Sequence, residues 1–185
     1  LSSSSAASDV YKRQGFTLTA ATRISDTSQP LHIYIEGDGR AYINRGHPSP
    51  NPTPFNPVAL QLAAQNTSAN VAYLSRPCQY SGFTSPACSD NRWWTINRYN
   101  QPIVDSLNEA IDTLKLSPTQ PIYIYGYSGG GTLAAVLAAT RPDVMHLTTF
   151  AGNLDVDAFN KHHGVTPMQK AVKPTGYINS CLLYT

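Results

Sequence analysis

The residues whose types and spacing could do chemistry lie at Gly126-Tyr127-Ser128-Gly129-Gly130, a G-x-S-x-G pattern. A serine hydroxyl becomes a nucleophile once a base takes its proton, and acyl transfer is the reaction it commonly serves. The spacing has a physical reason. A strand that turns straight into a helix leaves no room for side chains on either side of the turn, so both flanking positions must be glycine. The serine then stands at the tip of the turn, at the N-terminal end of a helix. That end favours the negative charge that develops during acyl transfer. The flanks supply both elements. Ile122-Tyr123-Ile124-Tyr125 is a strand-forming run opened by Pro121, and residues 132–140 are nearly all Ala, Leu and Val, which reads as a buried helix. The alternative is an ordinary glycine-rich turn.

Around this stretch the chain reads as strand, helix, strand, helix, strand, helix, strand. Residues 16–24 alternate apolar and polar, as a half-exposed antiparallel strand does. Residues 31–35 form a second strand that ends in Glu36-Gly37-Asp38-Gly39. Residues 40–57 carry five prolines, too many for a packed element. A helix is expected over 57–65, capped by Asn56, then a strand over 70–75. An irregular stretch, 76–94, holds Cys78, Cys88, Trp93 and Trp94. Ile103, Val104, Leu107, Ala110, Ile111 and Leu114 have helical spacing. A strand over 146–151 and a short helix over 155–162 follow the glycine-rich turn. This alternation is the pattern of a mostly parallel α/β sheet, and its long loops follow strand C-termini, where such sheets place their sites.

Composition narrows the options. The 185 residues suffice for one domain, and the formal charge of +2 is mild. The basic residues are scattered, so nucleic acid is not an expected partner. No apolar run reaches the roughly 18–20 residues of a membrane span. The start is rich in serine and lacks the apolar core of a signal peptide. Residues 1–14, LSSSSAASDVYKRQ, and 181–185, CLLYT, resemble translated adapter sequence at the ends of short metagenomic contigs. The expected organisation is an unpacked tail over 1–14, artefactual or disordered, a partial domain over 15–180 and an artefactual tail over 181–185. Cys78 and Cys88 bracket Tyr80, Gly82 and Pro86, a loop spacing that suits a disulfide, with two free thiols as the alternative. A disulfide implies an oxidising compartment, periplasmic or exported; otherwise the chain is cytoplasmic. No further ligands stand near the two cysteines, so neither a metal nor a cofactor is expected.

The succession of elements and the G-x-S-x-G turn resemble the α/β-hydrolase fold over residues 16–165. The pieces YIEGDG, SRPCQY and AGNLD look like an uncharacterised bacterial group of that superfamily, often exported. The resemblance implies a serine hydrolase acting on a small ester or related acyl substrate. It makes Ser128 the nucleophile and the N–H of Gly129 one oxyanion donor. The second donor is expected at Asp38, with Gly39 as the fallback; the Asp38 side chain should turn away, to cap the loop or meet Arg40. Glu36 stands where many members have histidine. The fold sets its acid and histidine after the serine, in that order. Asp143, Asp155 and Asp157, and His146, His162 and His163, follow Ser128. Asp155 with His163 is the candidate pair, but only a short helix separates them, so the acid and histidine are expected beyond the fragment, with the C-terminal strands missing. Trp93 and Trp94 are candidates for the cleft wall or for core anchors. A non-catalytic binding module, or a peptide or thioester hydrolase, stays open as an alternative.

Overall fold

Period-two patterning in the strands and period-3.6 patterning in the helices build three layers. The structure, a computed structural model, describes residues 7–13, 15–44 and 46–180. Strand β1 (Ala7–Arg13) runs antiparallel to β2 (Phe16–Ile24), with Arg13 opposite Phe16. Strand β3 (Leu31–Ile35) follows, then a two-stranded hairpin of β4 (Tyr42–Asn44) and β5 (His47–Pro48). Helix α1 (Val58–Gln65) leads to β6 (Asn70–Leu74), and three short 3₁₀ turns lead to α2 (Gln101–Leu114). Strand β7 (Ile122–Tyr127), α3 (Gly129–Thr140), β8 (Val144–Phe150) and α4 (Val156–His163) complete the order before a last 3₁₀ turn, Pro174–Ser180.

The six-stranded sheet has the order β1-β2-β6-β3-β7-β8. Its first two pairings are antiparallel, and β6, β3, β7 and β8 are parallel. Ile33, Ile35, Ile122 and Ile124 point to the face shared with Leu107 and Ile111 of α2 and Leu133 and Leu137 of α3. Tyr34 and Tyr73 alternate to the opposite face, where Ala59 and Ala63 let α1 lie close. The mostly parallel α/β sheet is as the strand–helix alternation implies.

Several local readings differ. Residues 7–13, expected to lie outside the packed domain, add an antiparallel strand to the sheet edge. Strand pairing uses backbone N–H and C=O groups, which a segment with no apolar period still carries. The remaining tail residues 1–6, 14 and 181–185 lie outside the described residues. Pro57, not Asn56, precedes the first turn of α1, and Asn56 accepts a hydrogen bond from Gln61 instead (2.6 Å). The proline-rich loop contains the β4–β5 hairpin.

Cys78 and Cys88 are bonded to each other, with Cα atoms 5.5 Å apart, and both are buried. The bond ties the loop after β6 to the second 3₁₀ turn. Removing it by a Cys78→Ala, Cys88→Ala double substitution should lower stability by about 2–4 kcal/mol. Thermal melting with and without reductant checks this: equal melting temperatures for the oxidised wild type and the double variant would count against it.

Candidate active site

Ser128 occupies the single-residue turn between β7 and α3. Its backbone has φ +51° and ψ −122°, a conformation that costs a non-glycine residue about 1–3 kcal/mol and needs a surrounding structure that enforces it. Enforcement comes from both sides. The Ser128 N–H donates to the Phe150 carbonyl (2.9 Å), and its carbonyl accepts from Gly131 (2.9 Å). Ser128 sits in the N-cap position of α3, yet its hydroxyl makes no capping hydrogen bond. A serine there ordinarily spends its oxygen on the helix. Here the oxygen stays available to the cleft.

Close packing explains the glycines. A Cβ on Gly126 would lie 2.5 Å from the Gly130 carbonyl oxygen, and one on Gly130 would lie 2.5 Å from the Glu36 carbonyl oxygen. The helix start is thus pressed against the end of β3. Gly129 has a different neighbour, because a Cβ there would run into the Asp38 carboxylate and come within 2.6 Å of the Tyr99 hydroxyl.

The loop after β3 forms the opposite wall. The Gly37 N–H donates to Glu36 Oε1 (2.9 Å), and the Arg40 N–H donates to the Pro52 carbonyl (2.9 Å). Between them, the N–H groups of Asp38 and Gly39 make no hydrogen bond among the described residues. Gln79 Nε2 donates to the Gly37 carbonyl (3.1 Å). Because that peptide is trans, the Asp38 N–H points away from Gln79. Gly39 lies at φ +63°, and a Cβ there would strike the Pro52 carbonyl.

The Asp38 side chain turns away from Arg40, whose guanidinium stacks over the Phe55 ring at 4.7 Å. Asp38 Oδ1 instead pairs with Arg76 (2.9 Å) and Oδ2 with Arg98 (2.8 Å), and the Tyr99 hydroxyl donates to Oδ2 (3.2 Å). The two arginines are 4% and 5% exposed. Burial alone would raise the Asp38 pKa, but the Arg98 and Arg76 charges outweigh it, and the carboxyl titrates below its ordinary range. Arg76, Gln79, Arg98 and Tyr99 are the site residues that sequence reasoning missed. SRPCQY marks the first two as unusual, but nothing in the string says that they reach the loop after β3.

Glu36 is 1% exposed, and its Oε1 also accepts from the Ala59 N–H at the start of α1 (3.4 Å). Burial pushes its pKa above the usual carboxylate range. A raised acid contributes its full stability below its unfolded pKa and loses it as pH rises through the folded value. Glu36→Gln keeps an acceptor oxygen and cannot ionise. From about pH 5 to pH 8 the wild-type melting temperature should therefore fall relative to the variant's. A difference that stays constant over that range would refute this.

Glu36, Gly37, Asp38, Gly39, Tyr127 and Ser128 line one cleft of about 410 Å³, with Arg40, Tyr42 and Pro54–Asn56 at its rim. The candidate acid and base lie elsewhere. Asp155 accepts from the Ala158 N–H (2.9 Å) and caps α4, while His163 packs on Phe159 (4.3 Å between rings) and lines a separate hollow with Arg92. Neither lines the Ser128 cleft. The intervening helix, α4, carries them apart. Asp143 pairs with Lys115 and Arg141, and Asp157 with Lys173. The tryptophans are not cleft residues: Trp94 is buried and donates to the Ser49 carbonyl (3.0 Å), and Trp93 meets Phe16 edge-on (5.1 Å). Among the described residues, no three metal-ligating side chains gather.

No protein-family model matches the chain, and no curated protein matches it by sequence. Solved structures do. Est1E from Butyrivibrio proteoclasticus aligns over 92% of this chain and 60% of its own, at 15% identity and TM-score 0.54. An α/β serine hydrolase without a lid from Xanthomonas campestris aligns over 94% and 69%, at 13% identity and TM-score 0.50. A post-proline cleaving enzyme from Rickettsia typhi aligns over 85% of this chain and 22% of its own, at 17% identity and TM-score 0.54. The fold is that of the α/β hydrolases. The chain spans less than two-thirds of the length of the first α/β-hydrolase structures it matches. In this α/β-hydrolase fold the Ser128 turn and the loop after β3 meet at the C-terminal ends of β7 and β3, and no helix among the described residues is long and apolar enough to cross a membrane.

Proposed function

We propose that the chain is the nucleophile-bearing part of a serine hydrolase that cleaves an ester or related acyl substrate. The observation that carries this is the backbone of Ser128, held at positive φ on a strand–turn–helix elbow, with its hydroxyl free of capping duty. In this reading Ser128 Oγ attacks the acyl carbon, and the carbonyl electrons move to the oxygen. The Gly129 N–H, an orphan donor at the start of α3, meets that oxyanion from one side. The Asp38 N–H meets it from the other, with Gly39 as the alternative donor. Gln79 sets the plane of the peptide that presents the Asp38 N–H. The acid and the histidine base lie outside the described residues. The Cys78–Cys88 bond favours an oxidising compartment as the place of action.

The test is labelling with a serine-directed fluorophosphonate, applied to this chain and to the uninterrupted gene product, with the modified peptide mapped by mass spectrometry. The reading expects the longer product to carry the label on Ser128 and Ser128→Ala to lose it. Labelling of another serine would refute Ser128 as the nucleophile, and no labelling of the longer product would support a non-catalytic binding module on the same scaffold.

A further inference from the structure

We propose that the Ser128 cleft selects esters that carry an anionic group beside an apolar segment, and that Arg40 with Phe55 receives that part of the substrate. This rests on the reading of Ser128 as nucleophile, and it names the substrate class. Two independent observations support it.

The first is the rim. Arg40 and Phe55 line the same cleft as Ser128, and the guanidinium lies over the ring. Phe55 is 85% exposed, the most exposed large apolar side chain among the described residues. The guanidinium carbon lies 4.7 Å from the ring centroid, and a cation held over a ring face keeps N–H donors for an anionic ligand. Arg40 has no carboxylate within salt-bridge distance among the described residues, whereas Arg76, Arg92 and Arg98 each have one and Arg141 has two.

The second is the charge behind the cleft. Arg76 and Arg98 are both buried and share a single carboxylate, that of Asp38. One positive charge is therefore left over, and Arg76 Nε is buried without a hydrogen-bond partner among the described residues. The other acidic group lining the cleft is Glu36, which is buried and whose Oε1 accepts from the Gly37 and Ala59 N–H groups. The start of α3 adds a partial positive charge at the same place. Arg40, Arg76 and Arg98 thus outnumber Asp38 and Glu36 around the cleft, and a positive balance of charge concentrates anionic ligands there.

The experiment uses the Ser128→Ala chain, which binds an ester without turning it over. Monophenyl esters of succinate, glutarate and adipate are titrated by calorimetry against the matching carboxamides, which differ only in charge. The acid of at least one chain length should bind about five- to tenfold more tightly than its amide at low salt. Arg40→Gln should remove that preference, Arg40→Lys should keep part of it, and Phe55→Ala should weaken acid and amide alike. Should Arg40→Gln fail to fold by circular dichroism, salt provides the second measurement: in the Ser128→Ala chain, raising sodium chloride to about 1 M should erase the preference. Equal binding at every length, no binding of either series, or a preference that survives Arg40→Gln or high salt would overturn the proposal. Fluorophosphonate labelling reports separately on Ser128, so a failed nucleophile and a failed anion subsite give different results.

Discussion

Replacing Asp38 with alanine should destabilise the protein by about 3–5 kcal/mol. The carboxylate is the shared counter-ion of two buried arginines, at 2.9 and 2.8 Å. Removing it leaves two guanidiniums facing each other in a low-dielectric interior, with the desolvation cost already incurred and no compensating charge. Asp38→Asn keeps the shape and one acceptor and should cost less than Asp38→Ala. The same side chain touches the Gly129 backbone, so the loss also loosens the start of α3. Chemical denaturation measures the stability change. A cost below about 1 kcal/mol would place this pair with exposed ion pairs, contrary to its burial. The pH dependence follows from the sign of the shift. A depressed carboxylate pKa contributes stability above the unfolded value, and that stability disappears only as pH falls through the folded one. Asp38 titrates below its ordinary value of 3.8, so its contribution should hold through neutral and mildly acidic conditions and fade in strong acid.

On the proposed chemistry, Ser128→Ala should abolish ester hydrolysis by the longer gene product, while His163→Ala and Asp155→Ala should leave it within about twofold. A serine hydroxyl is a poor nucleophile until a base removes its proton. His163 packs on Phe159 and lines a different hollow, and Asp155 is committed to the α4 cap. Neither lines the Ser128 cleft. The 185-residue chain should therefore be a weak catalyst, limited to the roughly 10³–10⁴-fold over water that an oxyanion site and binding supply without a base. Initial rates on a short-chain activated ester, for both products and all three variants, decide the matter. Fast turnover by the 185-residue chain, lost on His163→Ala, would show that its base lies within these residues.

The readings that held and those that failed separate by the range of the physics behind them. The strand from Phe16, the α2 stripe from Ile103 to Leu114 and the glycine-flanked Ser128 turn were legible because period, propensity and steric limits act within a few residues. The Cys78–Cys88 spacing was legible for the same reason: the partners are ten residues apart. The β1 pairing was not, because hydrogen bonding between backbones leaves no mark on side-chain type.

Amino-acid order alone determined the parallel α/β scheme and the requirement for glycine at Gly126 and Gly130. It could not show which residues meet at the end of β3. Arg40 is the nearest arginine to Asp38 in the chain, and sequence distance made it the natural partner. Folding brings Arg76 and Arg98 there instead, from 38 residues away in the case of Arg76. The loop after β6 and the segment after the third 3₁₀ turn converge on the loop after β3 because β6 and β3 are parallel neighbours. Their C-terminal ends share one edge of the sheet, and charges on separate loops are forced into contact there. The need for glycine at Gly129 comes from the same convergence, since the group that fills its space is the Asp38 carboxylate.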